Sequence, residues 1–243
     1  MSTLRVLAID TATEVCSVVV LCGNELVELA ETVGQKHSER ALPMVEAVLS
    51  QAKLTLGDVD VFAFGAGPGS FTGLRIACGI AQGLAYGKGK RVVPVGNLRA
   101  LAARAFSRSN EGDLLLAAID ARMNEAYCAI YRRDNSIVEV RAPALELPQS
   151  LVQLAASEDI DIVAGNALHV FADSWPNEHR WRALPDVSPT AADIARLARI
   201  DAEHGLTVSP AEAAPVYIRD RVAMTIEQRR ALHAAKQDLA AQI

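Results

Sequence analysis

The chain has 243 residues, of which 51% are hydrophobic, and its 24 Lys and Arg against 29 Asp and Glu give a formal net charge of −5. A chain this long and this hydrophobic buries enough apolar surface to fold as one large domain or two lobes, which excludes disorder as its main state. The acidic balance argues against a protein that binds nucleic acid unaided, because that affinity rests on Lys and Arg neutralising phosphates.

The positions of the cysteines, histidines and apolar residues further limit the class of protein to which the chain can belong. No CxxC pair, no HExxH or HxxxH pair and no run of 18 apolar residues is present, and the start of the chain has no signal-peptide pattern. These patterns predict a cytoplasmic protein with reduced thiols, no protein-bound metal and no membrane contact. The four cysteines, which all lie in apolar runs, are Cys16, Cys22, Cys78 and Cys128.

Hydrophobic periodicity in the first half predicts the order strand, strand, strand, helix, strand, helix, strand, helix. The strands are expected over 4–10, 15–21, 25–33, 59–64 and 91–95, and the helices over 38–52, 70–86 and 97–106. Ser38, Ser70 and Asn97 are predicted as N-caps, because short polar side chains satisfy the free N–H groups of a first helical turn.

The same order starts again in the second half, which predicts an internal duplication. Ala8-Ile9-Asp10 and Ala118-Ile119-Asp120 each end a strand, and each is followed by a polar turn and a strand with a cysteine. The copy is expected to supply strands within 114–131, over 136–143 and over 160–164, with helices over 148–156 and 191–203. We therefore predict lobes over 1–108 and 109–224, joined by a polar linker at 107–111. A helical tail over 225–243 either packs back on the first lobe or projects freely.

Two aspartates and one glycine-rich turn are the candidates for chemistry. Asp10 and Asp120 stand where a two-lobed nucleotide-binding fold places a phosphate-facing hairpin. A simple Asx turn explains them better on composition, and neither hairpin has the glycine that a close approach to phosphate requires. The turn Gly65 to Arg75 offers free N–H groups at a helix start, so Gly67, Gly69 and Ser70 form either an anion site or a structural turn. It lacks the P-loop lysine, the GxGxxG spacing and the GxSxG elbow.

The helix after this turn carries two rows of very small residues. Gly73, Gly79, Gly83 and Gly87 interrupt the helix and form one row, and Ala77, Ala81 and Ala85, which repeat every four residues, form the other. Each glycine lowers helix propensity by about 1 kcal/mol relative to alanine, so the rows favour a close helix approach. Two readings stay open at this point: packing against the sheet of the same chain, or a subunit interface shared with the helix over 38–52.

Several motifs together resemble the bacterial TsaB (YeaZ) family over essentially the whole chain. They are Ala8-Ile9-Asp10-Thr11-Ala12-Thr13 with Cys16-Ser17, His37-Ser38-Glu39-Arg40 with Leu42-Pro43, Gly67-Pro68-Gly69-Ser70-Phe71-Thr72-Gly73-Leu74-Arg75, and Pro215-Val216-Tyr217-Ile218-Arg219. The resemblance implies an α/β, actin-like or Hsp70-like ATPase (ASKHA) fold, in which two duplicated lobes each hold a mixed sheet flanked by helices.

The resemblance also implies a role in making N6-threonylcarbamoyladenosine in tRNAs that read codons starting with A. In that family the subunit is a non-catalytic scaffold that pairs with the catalytic paralogue TsaD through N-terminal lobe helices, helps to recruit the TsaE ATPase and self-associates when alone. The predicted interface residues are Leu42, Val45, Leu49, Leu74, Ala77, Ala81 and Leu84. Asp10, Gly67, Gly69, Ser70 and Asp120 are expected to form at most a vestigial anion site.

Departures from the catalytic paralogue support the scaffold reading. TsaD-like proteins carry an HxxxH metal pair after the strand that follows the glycine-rich helix, and here those places fall near Asn97 and Leu101. We expect no tightly bound cofactor, ATP or ADP only at the interface with the partner, and tRNA contact only through the complex. The alternative is an ATP-dependent, kinase-like enzyme of the same fold. A peptidase is less favoured because the sequence shows no set of residues that could act as nucleophile and base.

Four basic residues make the C-terminal stretch locally positive: Arg219, Arg221, Arg229 and Arg230. We interpret them as the solvated face of a helix, with contact to tRNA or to an acidic partner as the minority alternative.

Overall fold

A computed structural model describes residues 4–219 as two five-stranded mixed sheets flanked by helices. The predicted tail over 225–243 and Arg221, Arg229 and Arg230 lie outside the described residues. Within residues 4–219, no helix is both long and apolar enough to cross a membrane.

The first sheet has the strand order β3-β2-β1-β4-β5. Its strands are β1 (Arg5–Asp10), β2 (Val15–Cys22), β3 (Glu25–Thr32), β4 (Val61–Gly67) and β5 (Arg91–Gly96). β1 pairs antiparallel with β2, which follows it through a short turn, and parallel with β4, which a helical crossover returns to its other side. β1 therefore lies at the centre of the sheet, and Leu7, Ala8 and Ile9 are fully buried.

The second sheet repeats this topology in the order β10-β9-β6-β7-β8. Its strands are β6 (Leu114–Asp120), β7 (Ala126–Arg133), β8 (Ile137–Glu146), β9 (Ile162–Ala164) and β10 (Arg182–Leu184). β6 pairs antiparallel with β7 and parallel with β9, as β1 does with β2 and β4. The predicted fold class, an α/β fold of two duplicated lobes, is confirmed.

Six helices flank the sheets within the described residues. They are α1 (His37–Gln51), α2 (Phe71–Lys88), α3 (Asn97–Arg108), α4 (Pro148–Ser157), α5 (Ala167–Val170) and α6 (Ala191–Glu203). α1 and α2 share one core with the first sheet, whose other face is covered by α6 from the second half of the chain. α3 in turn packs on the second sheet, so each half contributes a helix to the core beside the other half's strands.

Two ion pairs join α3 to α6 where these helices meet between the lobes. Arg99 donates to the carboxylate of Asp201 from its two terminal guanidinium nitrogens, at 2.6 and 3.0 Å. Arg104 donates to Asp193 at 3.1 Å and to Thr190 at 3.0 Å. A bidentate arginine fixes orientation as well as distance, so these pairs set how the two helices cross.

Two predicted N-caps are wrong. α1 begins at His37 after Lys36, which gives no side-chain cap, so Ser38 lies inside the helix. Asn97 is the first helical residue of α3 rather than its cap, and its side chain bonds elsewhere. The third prediction is confirmed, because the Ser70 hydroxyl accepts the Gly73 N–H at 3.4 Å at the start of α2.

Candidate functional site

A cleft of about 1030 Å³ lies between the two lobes. The β1–β2 turn and the first turns of α2 line it on one side, the β6–β7 turn lines it on the other, and the segment 216–219 also contributes. Gly69, Ser70 and Asp120 of the predicted anion site reach this cleft. Asp10 and Gly67 are both buried, so three of the five predicted residues line the cleft and two do not.

The first-lobe turn is closed against the start of α2. The Ser70 N–H donates to the Ala12 carbonyl at 2.8 Å, and the Thr11 hydroxyl donates to the Gly73 carbonyl at 2.6 Å. A Cβ on Gly69 would lie 2.7 Å from the Ala12 Cβ, and one on Gly73 would overlap the Thr11 carbonyl oxygen. These glycines therefore allow the helix and the hairpin to touch, which is the structural-turn alternative of the sequence analysis.

Asp10 lies behind this contact in a buried polar network. Asn97 donates its Nδ2 to the Asp10 carboxylate at 3.0 Å and accepts the Gly67 N–H on its Oδ1 at 2.7 Å. Burial raises the pKa of Asp10 to about 6, although the hydrogen bond from Asn97 opposes the shift. Gly65 is required beside this network, because a Cβ there would overlap the carboxylate. Asn97 thus fastens the end of β1 to the end of β4 instead of capping α3.

The corresponding turn of the second lobe has an unusual backbone conformation. Arg122, Met123 and Asn124 have consecutive left-handed φ values of 64°, 56° and 59°, which cost non-glycine residues about 1–2 kcal/mol each. The Asp120 carboxylate accepts the Arg122 N–H at 2.8 Å and lies 3.3 Å from its guanidinium. Asp120 is therefore engaged by its own turn. This strain was not predicted from the sequence: Asn124 is of a residue type that often adopts a left-handed conformation, but nothing in Arg122 or Met123 signals it.

Arg219 holds that turn from the other end of the chain. Its guanidinium donates to the Ala121 carbonyl at 3.1 Å and lies 2.7 Å from the Glu125 carboxylate. The Arg219 side chain is only 15% exposed. These contacts give Arg219 a structural role in the fold, in place of the solvated position that the sequence analysis assigned to it.

Most of the predicted interface residues belong to the core of the first lobe, which corrects that prediction. Five are at most 5% exposed and pack inside the lobe: Val45, Leu49, Leu74, Ala77 and Ala81. Leu84 is partly buried against the same core, whereas Leu42 is 46% exposed. The alanine row of α2 faces inward because β4 presents Phe62 and Phe64 to it, and small side chains let the helix approach these rings.

The glycine row of α2 forms the outer face instead. A Cβ added at Gly79, Gly83 or Gly87 would meet nothing within 4 Å. Tyr86 on the same helix is 82% exposed. We name Leu42, Gly79, Gly83, Tyr86 and Gly87 the outer face of α1 and α2. The sequence shows both small rows, but not which of them faces the sheet.

Known proteins resemble this chain over nearly its whole length. A family model described as "TsaD: tRNA N6-adenosine threonylcarbamoyltransferase" matches residues 29–227. The tRNA threonylcarbamoyladenosine biosynthesis protein TsaB of Haemophilus influenzae is 35% identical over 91% of this chain and 96% of that protein. The Escherichia coli protein of the same name is 36% identical over 90% and 96%. The chain belongs to the TsaB (YeaZ) family.

The solved structures agree with the assignment to the TsaB family. "YeaZ from Pseudomonas aeruginosa" is 36% identical, with a TM-score of 0.79 over 88% of this chain and 99% of that one. The two-lobed TsaB fold is therefore shared along with the sequence. The motifs quoted in the sequence analysis as carrying the resemblance lie on β1, α1, α2 and the segment that ends at Arg219, which together surround the cleft and the outer face.

Proposed function

We propose that this chain is the non-catalytic partner subunit of a threonylcarbamoyltransferase that acts on tRNA. In this proposal the outer face of α1 and α2 binds a catalytic TsaD-like paralogue, and the pair recruits a TsaE-like ATPase. tRNA contacts the chain only within that complex, and a second copy of the chain occupies the outer face when the paralogue is absent.

The outer face is the observation that carries this proposal. Exposed glycines in a helix interior are unfavourable by about 1 kcal/mol each relative to alanine, and no contact within the described residues explains Gly79 or Gly83. Bare backbone lets a second helix approach closely, while Tyr86 on α2 and Leu42 on α1, the helix that contacts α2, supply exposed aromatic and apolar surface. Aromatic residues are enriched where protein interfaces are buried.

Two buried residues support the non-catalytic part of the proposal. Asn97 and Leu101 stand where the resemblance places a metal-binding histidine pair in the catalytic paralogue. Asn97 is 1% exposed and is engaged by Asp10 and Gly67, and Leu101 is fully buried in the core between α3 and the second sheet. Both positions therefore serve the fold. Nucleotide contact is assigned to the interface with the partner, because the first-lobe turn is already closed on α2.

Pairing with the paralogue tests the proposal. The tagged chain should recover the TsaD-like protein of its own organism in stoichiometric amount, and the purified proteins should form a heterodimer by analytical ultracentrifugation. Gly83→Trp should prevent pairing, because the indole occupies the space that the partner helix needs. Gln153→Trp is the matched control, since Gln153 is exposed on α4 of the other lobe.

Three results would contradict the proposal. The first is recovery of the wild-type chain without the paralogue, and the second is normal pairing of Gly83→Trp. The third is ATP turnover by the isolated chain, which would favour the kinase-like alternative.

A further inference from the structure

Arg75, one turn into α2, is held by two aromatic rings. Its guanidinium carbon lies 3.8 Å from the centre of the Phe71 ring, and its Nε donates to the Tyr217 hydroxyl at 2.9 Å. The Phe71 and Tyr217 rings themselves pack 5.3 Å apart. The side chain is therefore fixed in one position, and its conformational entropy has been lost before any partner binds.

This fixed cation has no carboxylate partner among residues 4–219. Its Nε is the only nitrogen engaged there, so the two terminal nitrogens keep their donors free. The exposed fractions of Phe71 and Tyr217 are 37% and 42%, and Val216 beside them is 55% exposed. A guanidinium that is stacked and held at Nε presents its two terminal nitrogens side by side, and their parallel N–H donors match the two oxygens of a carboxylate or phosphate.

The position of Arg75 connects this cluster to the outer face. Phe71, Arg75, Gly79 and Gly83 follow one another at intervals of four residues, so they form one row along α2. At a rise of about 1.5 Å per residue, the row from Arg75 to Gly87 is about 18 Å long. A partner helix of three turns that lies on the glycines therefore ends beside Arg75.

We propose that Arg75 is a preformed receptor for an Asp or Glu carboxylate of the partner helix that lies on Gly79 and Gly83. This inference rests on the proposed function and adds the chemistry of the partner: small side chains over the glycines and one acid at the Arg75 end. A protein carboxylate is favoured over RNA phosphate because exposed apolar and aromatic side chains, those of Phe71, Val216 and Tyr217, surround the guanidinium, as they do in protein interfaces.

The test measures the dissociation constant of the full chain and the purified TsaD-like paralogue by calorimetry, at low and high salt. Arg75→Gln should weaken pairing about 30-fold and Arg75→Glu by more than that, as expected when a buried charge pair is broken. The wild-type affinity should fall more steeply with salt than that of Arg75→Gln. Arg132→Gln, at an exposed position of β7, is the matched control and should pair normally.

Tyr217→Phe separates the charge from a merely structural role. This variant removes the hydroxyl that accepts from Arg75 but keeps the guanidinium and its stacking. If the partner binds the charge of Arg75, the dissociation constant should stay within about threefold of the wild-type value. Loss of pairing in Tyr217→Phe equal to that in Arg75→Gln, without a change in salt dependence, would overturn the proposal.

Failure of this inference and failure of the proposed function give different results. If Arg75→Glu pairs normally while Gly83→Trp does not, the carboxylate receptor is wrong and the interface stands. If Arg75→Gln pairs normally but the complex loses affinity for tRNA, the ligand is RNA phosphate and the inference is overturned. If the wild-type chain does not pair with the paralogue at all, both are wrong.

Discussion

Replacing the exposed glycines of α2 should stabilise the isolated chain and weaken its pairing. Gly79 and Gly83 lie in the helix interior with φ values in the ordinary range, and a Cβ on either meets nothing within 4 Å. Alanine therefore adds no clash and removes the propensity penalty of about 1 kcal/mol per site. The double variant Gly79→Ala/Gly83→Ala should gain about 2 kcal/mol, which raises the melting temperature by about 4–8 °C for a chain of this size.

Circular dichroism melts of the isolated chain measure the first effect, and calorimetry with the paralogue measures the second. Gly73→Ala is the matched control on the same helix, because its Cβ would overlap the Thr11 carbonyl oxygen and should destabilise the chain. An unchanged or lower melting temperature in the double variant would refute the reasoning about the helix. A higher melting temperature with unchanged affinity would show that the glycines are not needed for a close approach.

Three further predictions concern the core and the lobe contacts. Ala81→Arg should prevent folding, since it places a charge in a fully buried site, at a loss of more than about 4 kcal/mol; soluble, folded protein would contradict this. The raised pKa of Asp10, about 6, means that the folded state keeps a proton that the unfolded state releases near pH 4. Stability should therefore fall by roughly 3 kcal/mol as pH rises from about 4 to 6, and urea melts of Asp10→Asn should lack that slope. A double-mutant cycle of Arg99→Met and Asp201→Asn should give a coupling energy of about 1–3 kcal/mol, and additive effects would exclude the ion pair as a lobe contact.

The order of the strands could be predicted because it depends on local apolar runs and on the repetition of one strand order in both halves of the chain. The Ala-Ile-Asp ends of β1 and β6 indicated the duplication, and all five strands of the first sheet follow from apolar runs separated by polar turns. β10 and α5 were not predicted. They span three and four residues, respectively, which is too short for a periodic signal, and their conformation depends on neighbouring elements.

The candidate site was less predictable because it depends on which way side chains face. Ser38 and Asn97 are both good capping residues, yet Asn97 is drawn instead into a bond with Asp10, which is 87 residues away in sequence. Likewise, Ala77 and Gly79 both belong to rows with a four-residue repeat. The large rings of Phe62 and Phe64, contributed by β4, decide that the alanines face inward. Such long-range partners cannot be read from local spacing.

The closed first-lobe turn and the outer face are two consequences of one anchored helix. α2 is tied to the β1–β2 turn by Thr11, and Gln82 donates to the Pro210 and Ala213 carbonyls at 3.1 and 2.7 Å. A helix held at its start and along one side loses little further freedom when a partner binds its remaining face. The glycine-rich motif therefore favours close packing inside the chain and leaves a rigid, bare surface outside it. That combination suits the partner-binding role proposed for this chain.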